Sequence, residues 1–201
     1  MKKLFALVAL AALPLGAQAE LLASVDAFGS FSKFEEGSGS EDADGYGLRG
    51  RVNLPGTGLF GRVQLLEEQK DDALKTDYSE VRIGGGIATG ITPLIDLSFE
   101  LEHLDLETKN SNVKNTTDGF GVFGGVSTSL PLLNAYGRIG FMKLEDDAGI
   151  DVDGSEYLIG ARISVLPFVG LFAEYRLLTL DPEVGGDTDI KSYRLGASIS
   201  F

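Results

Sequence analysis

The chain has 201 residues, a formal net charge of −13, 27 glycines and no cysteine. This length suits a single domain, and without cysteine we expect neither a disulfide-stabilised secreted scaffold nor a lipoprotein attached through a modified cysteine. The negative charge disfavours nucleic acid as a partner.

Residues 1–19 have the layout of a cleavable secretory signal peptide. Lys2 and Lys3 precede an apolar stretch from Leu4 to Leu15, and Ala17-Gln18-Ala19 provides a small-residue cleavage site. The apolar stretch is shorter than the roughly 20 residues of a membrane-spanning helix, and no later segment offers such a helix. We therefore predict an exported domain over residues 20–201, which can enter a membrane only as a β-barrel.

A proline repeat divides this domain into hairpins. Pro55, Pro93, Pro131 and Pro167 recur at intervals of 36 to 38 residues. Proline cannot donate to a β-ladder, so its regular recurrence marks one kind of short turn. The acidic segments between these turns are predicted as longer loops: 35–44, 69–77, 107–117, 145–154 and 181–190.

Four turns and five loops join ten strands in an all-β, antiparallel, up-and-down arrangement. An eight-stranded barrel, with one hairpin serving as a plug or a surface flap, is the alternative. The ten strands are predicted at 22–34, 45–54, 59–68, 78–91, 95–106, 118–130, 133–144, 155–166, 168–180 and 191–201.

Side chains alternate along these strands, and the polar residues fix the register. All eight arginines fall on the polar face of a strand, and carboxylates share that face. Arginine suits buried ion pairs because its planar fork binds a carboxylate through two hydrogen bonds. The alternation therefore predicts an apolar outer wall and a lumen lined by an ion-pair network of Asp26, Arg49, Arg51, Arg62, Glu80, Arg82, Asp96, Glu100, Glu102, Arg138, Glu156, Arg162, Glu174, Arg176 and Arg194.

The last nine residues carry a motif of their own. Tyr193, Leu195, Ala197, Ile199 and Phe201 lie on one face of a strand that ends the chain. This resembles the C-terminal signature of bacterial outer-membrane β-barrels. With the leader and the alternation, the whole mature chain resembles the superfamily that includes the transmembrane domain of outer membrane protein A.

The resemblance implies a location and an assembly route. It implies the outer membrane of a Gram-negative bacterium, with periplasmic termini, extracellular long loops and assembly through periplasmic chaperones and the barrel-assembly machinery. The partners expected in the mature state are outer-membrane lipid and lipopolysaccharide, with a monomeric chain and no cofactor. An interfacial aromatic girdle is predicted from Tyr46, Phe120, Tyr157 and Tyr193, and Tyr78 falls outside that register.

Three functions are considered for such a barrel. The first is a non-enzymatic structural or surface-interaction role carried by the acidic loops. The second is a narrow porin-like channel, for which inward glycines leave room: Gly84, Gly86, Gly121, Gly160 and Gly196.

The third function is a hydrolase at the rim, and the sequence disfavours it. The omptin proteases need an Asp-His pair and paired aspartates, whereas His103 is the only histidine and is predicted to face outward. The acidic segments 41–45 and 151–154 resemble fragments of a calcium loop but have no closing glutamate at the twelfth position. We therefore expect no catalytic residue and no metal site.

Overall fold

The fold is known from a computed structural model that describes residues 23–37, 39–71, 76–109, 113–128, 130 and 132–201. The predicted signal peptide, Asp72 and Pro131 lie outside these ranges. The described residues form β1 (Ala23–Glu36), β2 (Gly39–Asn53), β3 (Leu59–Lys70), β4 (Asp77–Thr92), β5 (Ile95–Lys109), β6 (Lys114–Thr128), β7 (Leu133–Asp146), β8 (Asp151–Leu166), β9 (Val169–Pro182) and β10 (Thr188–Ser200).

The ten strands form one closed barrel in which each strand pairs antiparallel with its neighbours in the sequence. The barrel closes between β1 and β10, from Ser24 opposite Ser200 to Glu36 opposite Thr188. The amide of Phe201 donates to the carbonyl of Ala23 at 2.9 Å, and the reverse bond has the same length. The prediction of a ten-stranded, up-and-down β-barrel is confirmed, and the eight-stranded alternative is wrong.

The strands are longer than predicted at the ends joined by the acidic segments, which we call the loop end of the barrel. They contain 12 to 16 residues each, whereas a tilted strand crosses a bilayer in roughly 9 to 11. For example, β2 begins at Gly39 and β8 at Asp151. Much of the acidic segments 35–44, 107–117 and 145–154 is therefore strand, and the barrel wall extends beyond the span that a bilayer needs.

The opposite end, which we call the turn end, carries the short connections and the chain terminus. Residues 54–58 join β2 to β3, and Gly56 and Gly58 there have φ angles of 71° and 72°, a left-handed conformation that suits glycine. Among the described residues, no helix is long and apolar enough to span a bilayer.

The core lies inside the barrel, and the outer wall is apolar. Ile83, Phe99, Ile159 and Leu195 expose more than half of their surface on the outer wall, as strand residues facing lipid do. The inner wall buries five of the eight arginines and seven carboxylates, together with large apolar side chains. Many charged side chains thus lie inside the barrel and apolar side chains face outward, which is the reverse of the usual arrangement in a water-soluble protein.

Candidate functional site

The most developed polar structure is an ion-pair network within the lumen. At its centre, Arg82 and Arg176 share Glu80 and Glu156. Arg82 binds Glu80 at 2.7 Å and Glu156 at 2.6 Å, and Arg176 binds the same two carboxylates at 2.8 Å each. These four side chains come from β4, β8 and β9, so their contacts connect strands that are not neighbours in the barrel.

A second group of ion pairs surrounds Arg138 on β7. Its guanidinium binds Glu102 at 2.7 Å, Glu100 at 3.0 Å and Glu156 at 3.2 Å. Arg62 approaches Glu100 at 3.2 Å from β3. Because Glu156 belongs to both groups, they form one continuous network of alternating charge.

A third group lies nearer the turn end. Arg49 bridges Asp26 at 2.8 Å and Glu174 at 2.7 Å, and Arg162 binds Asp26 at 3.0 Å. The hydroxyl of Tyr136 donates to Glu174 at 2.6 Å. These contacts join β1, β2, β7, β8 and β9 across the lumen.

Three residues of the predicted network lie outside these ion pairs. Arg51 donates to Asn53 at 2.9 Å, and its guanidinium lies 3.6 Å from the centre of the Phe60 ring. Asp96 lies partly exposed near the turn end. Arg194 is almost fully buried, and within the described residues no ion pair joins it to a carboxylate.

The structure adds an apolar layer that was not predicted on the inner wall. It fills the loop-end half of the lumen, and its buried members include Phe34, Leu66, Tyr78, Leu104, Leu106, Met142, Leu144, Val152, Leu178 and Ile190. The sequence carried a signal for it, because Leu104 and Leu106 follow Glu100 and Glu102 on the same face of β5. This apolar layer seals the lumen above the ion pairs.

The inward glycines do not leave free space, contrary to the prediction. A Cβ atom on Gly160 would lie 2.7 Å from the Tyr136 ring, and one on Gly196 would lie 2.7 Å from the Phe172 ring. Gly121 faces Phe123 and Met142 at 2.8 and 2.7 Å, and Gly84 and Gly86 meet the backbone of β5 at 2.3 and 2.1 Å. Each glycine therefore accommodates a neighbouring group instead of leaving a gap in the lumen.

The single histidine lies on the outer wall. The His103 ring is 5.0 Å from the Phe120 ring, on the face opposite the buried Glu102 and Leu104. Asp146 and Asp147 lie at the connection between β7 and β8. The Asp146 carboxylate accepts hydrogen bonds from the backbone amides of Ala148 and Ile150. The Asp147 carboxylate accepts one from the backbone amide of Thr116 on β6. These contacts assign the two aspartates a role in fixing the loop.

The calcium-like segments are strand rather than loop. Residues 41–45 belong to β2 and 151–154 to β8, so consecutive side chains point to opposite faces and do not converge on one ion. Within the described residues, no group of three or more acidic or histidine side chains is arranged to hold a metal.

Aromatic residues lie along the loop-end border of the apolar outer wall. Tyr46, Phe120, Tyr157 and Tyr193 are all exposed there. Tyr78, which did not fit the predicted register, is buried inside and donates to Glu80 at 3.2 Å. Leu195 and Ile199 of the C-terminal motif also face outward.

Charges at the loop end perturb one another. Lys191 donates a hydrogen bond to Glu35, and this contact lowers the pKa of the Glu35 carboxyl. Near the connection between β9 and β10, the negative charge of Asp187 raises the pKa of the Asp181 carboxyl. The loop end thus combines local ion pairs with carboxylates that repel each other.

Solved structures with a similar fold are outer-membrane barrels. The β domain of the Bordetella autotransporter BrkA is 14% identical, with 90% of this chain and 100% of that chain covered and a TM-score of 0.58. The outer membrane protease OmpT from Escherichia coli is 10% identical, with 94% and 99% covered and a TM-score of 0.54. The chain has the fold of a small outer-membrane β-barrel.

Neisserial surface protein A shares this fold at 12% identity, with 89% of this chain and 97% of that chain covered and a TM-score of 0.53. No protein-family model and no curated protein sequence matches the chain. At these identities the likeness concerns the fold alone. The location and the activity of this chain have to be argued from the barrel itself.

Proposed function

We propose that this outer-membrane barrel is a non-enzymatic, non-conducting protein whose function is exercised by its acidic loop end. The burial of apolar and charged side chains inside the barrel is the observation that carries the proposal. Leu104 and Leu178 in the apolar layer and Glu80 in the ion-pair network expose none of their surface. Ions would have to cross both an apolar layer and a network of paired charges.

The proposed orientation places the loop end outside the cell and the termini in the periplasm. Outer-membrane barrels have short periplasmic turns and longer extracellular connections. The turn end here carries the short connections and the chain end. In this orientation, the extended acidic hairpins face the medium and the lipopolysaccharide layer, where we expect surface interactions to occur.

Single-channel conductance in a planar bilayer tests the proposal. We expect the refolded wild-type barrel to be silent at voltages that leave the bilayer intact. The variant Leu104→Gly/Leu178→Gly, which thins the apolar seal, serves as the comparison, and a shift in electrophoretic mobility on heating verifies that each protein is folded. Steady wild-type openings that change with Arg138→Ala or Glu100→Ala would favour the porin-like channel instead.

The hydrolase alternative has a separate test. His103 contacts Phe120 on the outer wall and faces away from the lumen, so we expect no role for it in hydrolysis. Loss of a peptide- or lipid-hydrolysing activity on His103→Ala, with folding retained, would contradict the proposal and revive the rim enzyme.

A further inference from the structure

An apolar groove lies on the outer wall across β6, β7 and β8, at the level of the aromatic girdle. It encloses about 430 Å³, and its walls include Phe120, Val122 and Phe141. Gly121 and Gly154 also line it and contribute no side chain. The groove is large enough to receive part of an alkyl chain or an apolar side chain.

A row of four carboxylates lies directly beyond this groove, toward the loop end. Asp105 on β5 is opposite Asp118 on β6, Asp118 is opposite Glu145 on β7, and Glu145 is opposite Asp151 on β8. All four are on the outward face, and Asp118, Glu145 and Asp151 are exposed. Asp118 is the next outward residue after Phe120, about 7 Å along the strand.

No ion pair within the described residues neutralises the row, although the charge of Lys114, which is paired with Glu107, also acts on Asp105. Lys143 lines the groove, but its ammonium is paired with Asp153 at 3.2 Å. The surroundings of the groove therefore carry a net negative charge after the Lys143–Asp153 pair is counted as neutral.

Four like charges in direct register are unfavourable for the sheet. Like charges placed opposite each other on adjacent strands destabilise the pairing. Departures from such local rules in natural proteins are expected at functional sites. The combination of an apolar groove with an adjacent row of uncompensated carboxylates matches a ligand that has an apolar part and a positive charge at one end.

We propose that the groove and the carboxylate row together bind a cationic amphiphile. Its apolar chain lies against Phe120, Val122 and Phe141, and its amine or guanidinium group lies against Asp118 and Glu145. A phosphate-bearing lipid would instead meet the carboxylates and be repelled. Binding at this site does not depend on whether the lumen conducts ions. It rests on the proposed orientation of the barrel only for the leaflet in which the amphiphile resides.

Binding of two matched probes to the folded protein in a nonionic detergent tests the site. Dodecylamine carries a positive head at neutral pH, and dodecyl phosphate carries a negative head on the same alkyl chain. Native mass spectrometry counts the bound probe on each barrel, and the micelles are the same for every variant. We expect dodecylamine to bind on the order of tenfold more tightly than dodecyl phosphate, and added salt to weaken it because the row is exposed.

Variants separate the two halves of the site. Asp118→Asn/Glu145→Gln should remove most of the preference for dodecylamine, and Val122→Trp should weaken both probes by filling the groove. Asp42→Asn/Asp44→Asn is the matched control, since it removes two exposed carboxylates from β2, away from the groove. Salt dependence of wild-type binding tests the charge without any substitution.

Tighter binding of dodecyl phosphate would overturn the proposal and assign the groove to an anionic lipid. An equal loss in the β2 control would show that total charge, rather than the row, attracts the probe. Unchanged binding in Val122→Trp would show that the chain does not occupy the groove. None of these outcomes depends on the conductance that tests the proposed function.

Discussion

The charged residues of the inner wall are governed by their burial away from solvent. Arg82 binds Glu80 at 2.7 Å and Glu156 at 2.6 Å and is almost fully buried. A buried charge that loses its partner keeps its desolvation cost without the compensating attraction. The placement of the eight arginines was predictable from alternation, whereas the partner of each one was not, because the partners belong to strands across the barrel.

Reversing the charge of Arg82 tests the network. Arg82→Glu should place a third carboxylate beside Glu80 and Glu156, destabilise the fold by about 3 to 5 kcal/mol or more, and lower the refolding yield sharply. The matched substitution Lys109→Glu, at the exposed end of β5, should have little effect. Yield is measured as the heat-modifiable fraction on a gel, and equal yields would contradict the described register.

Two glycines, Gly140 on the inner wall and Gly124 on the outer wall, provide a second test at this scale. A Cβ atom on Gly140 would lie 1.9 Å from the Phe123 ring, whereas one on Gly124 has nothing within 4 Å. Gly140→Ala should therefore destabilise the barrel by about 1 to 3 kcal/mol through overpacking, and Gly124→Ala should not.

Urea unfolding in lipid vesicles measures both glycine variants. Adding Phe123→Leu to Gly140→Ala should recover part of the loss, because the smaller side chain vacates the contested space. No recovery in the double variant would mean that the Phe123 ring is not what Gly140 accommodates.

At the scale of the strands, the main difference from expectation lies at the loop end. Segments rich in Asp, Gly and Ser suggested loops, yet β2 and β8 begin well inside them. Pairing with a neighbouring strand satisfies the backbone hydrogen bonds of these segments, and this overrides their low preference for extended structure. Pairing with neighbouring strands, rather than local composition, thus determines that these segments are extended.

The carboxylate row gives a prediction for sheet stability. Asp118→Asn removes two unfavourable cross-strand contacts, with Asp105 and Glu145, and should stabilise the barrel by a few tenths to about 1 kcal/mol. Asp153→Asn, which instead breaks the exposed pair with Lys143, should be neutral or slightly destabilising.

The urea midpoint of each variant at low ionic strength measures this difference between the carboxylates. The stabilisation by Asp118→Asn should shrink as salt is added, since salt screens exposed charges. A destabilised Asp118→Asn protein would show that this carboxylate has a favourable partner.

At the scale of the whole molecule, the pairing of β1 with β10 closes the barrel. The two backbone hydrogen bonds between Ala23 and Phe201 lie at the end of this seam, and the Phe201 side chain is only partly buried. The residue therefore contributes little to the core, although it ends the motif that resembles an assembly signal.

Substitution of Phe201 separates the two roles. Phe201→Ala should lower the amount of protein that reaches the outer membrane of Gram-negative cells severalfold, while the refolding yield in detergent changes little. Leu171→Ala, which removes an exposed apolar side chain from β9, is the control. Equal losses in cells and in detergent would assign Phe201 a purely structural role.

The sequence by itself determined the class of fold and the inward face of the arginines and of the carboxylates that share it, and it favoured ten strands over eight. These properties follow from period-two alternation and the repeated turns, which are local and readable along the chain. The tertiary structure alone decided that Arg82 and Arg176 share Glu80 and Glu156, and that Leu104 and Leu178 belong to one buried apolar cluster. It also decided that Asp105, Asp118, Glu145 and Asp151 align across four strands. Those contacts depend on closure and on the stagger between strands, which bring together residues that are distant in the sequence.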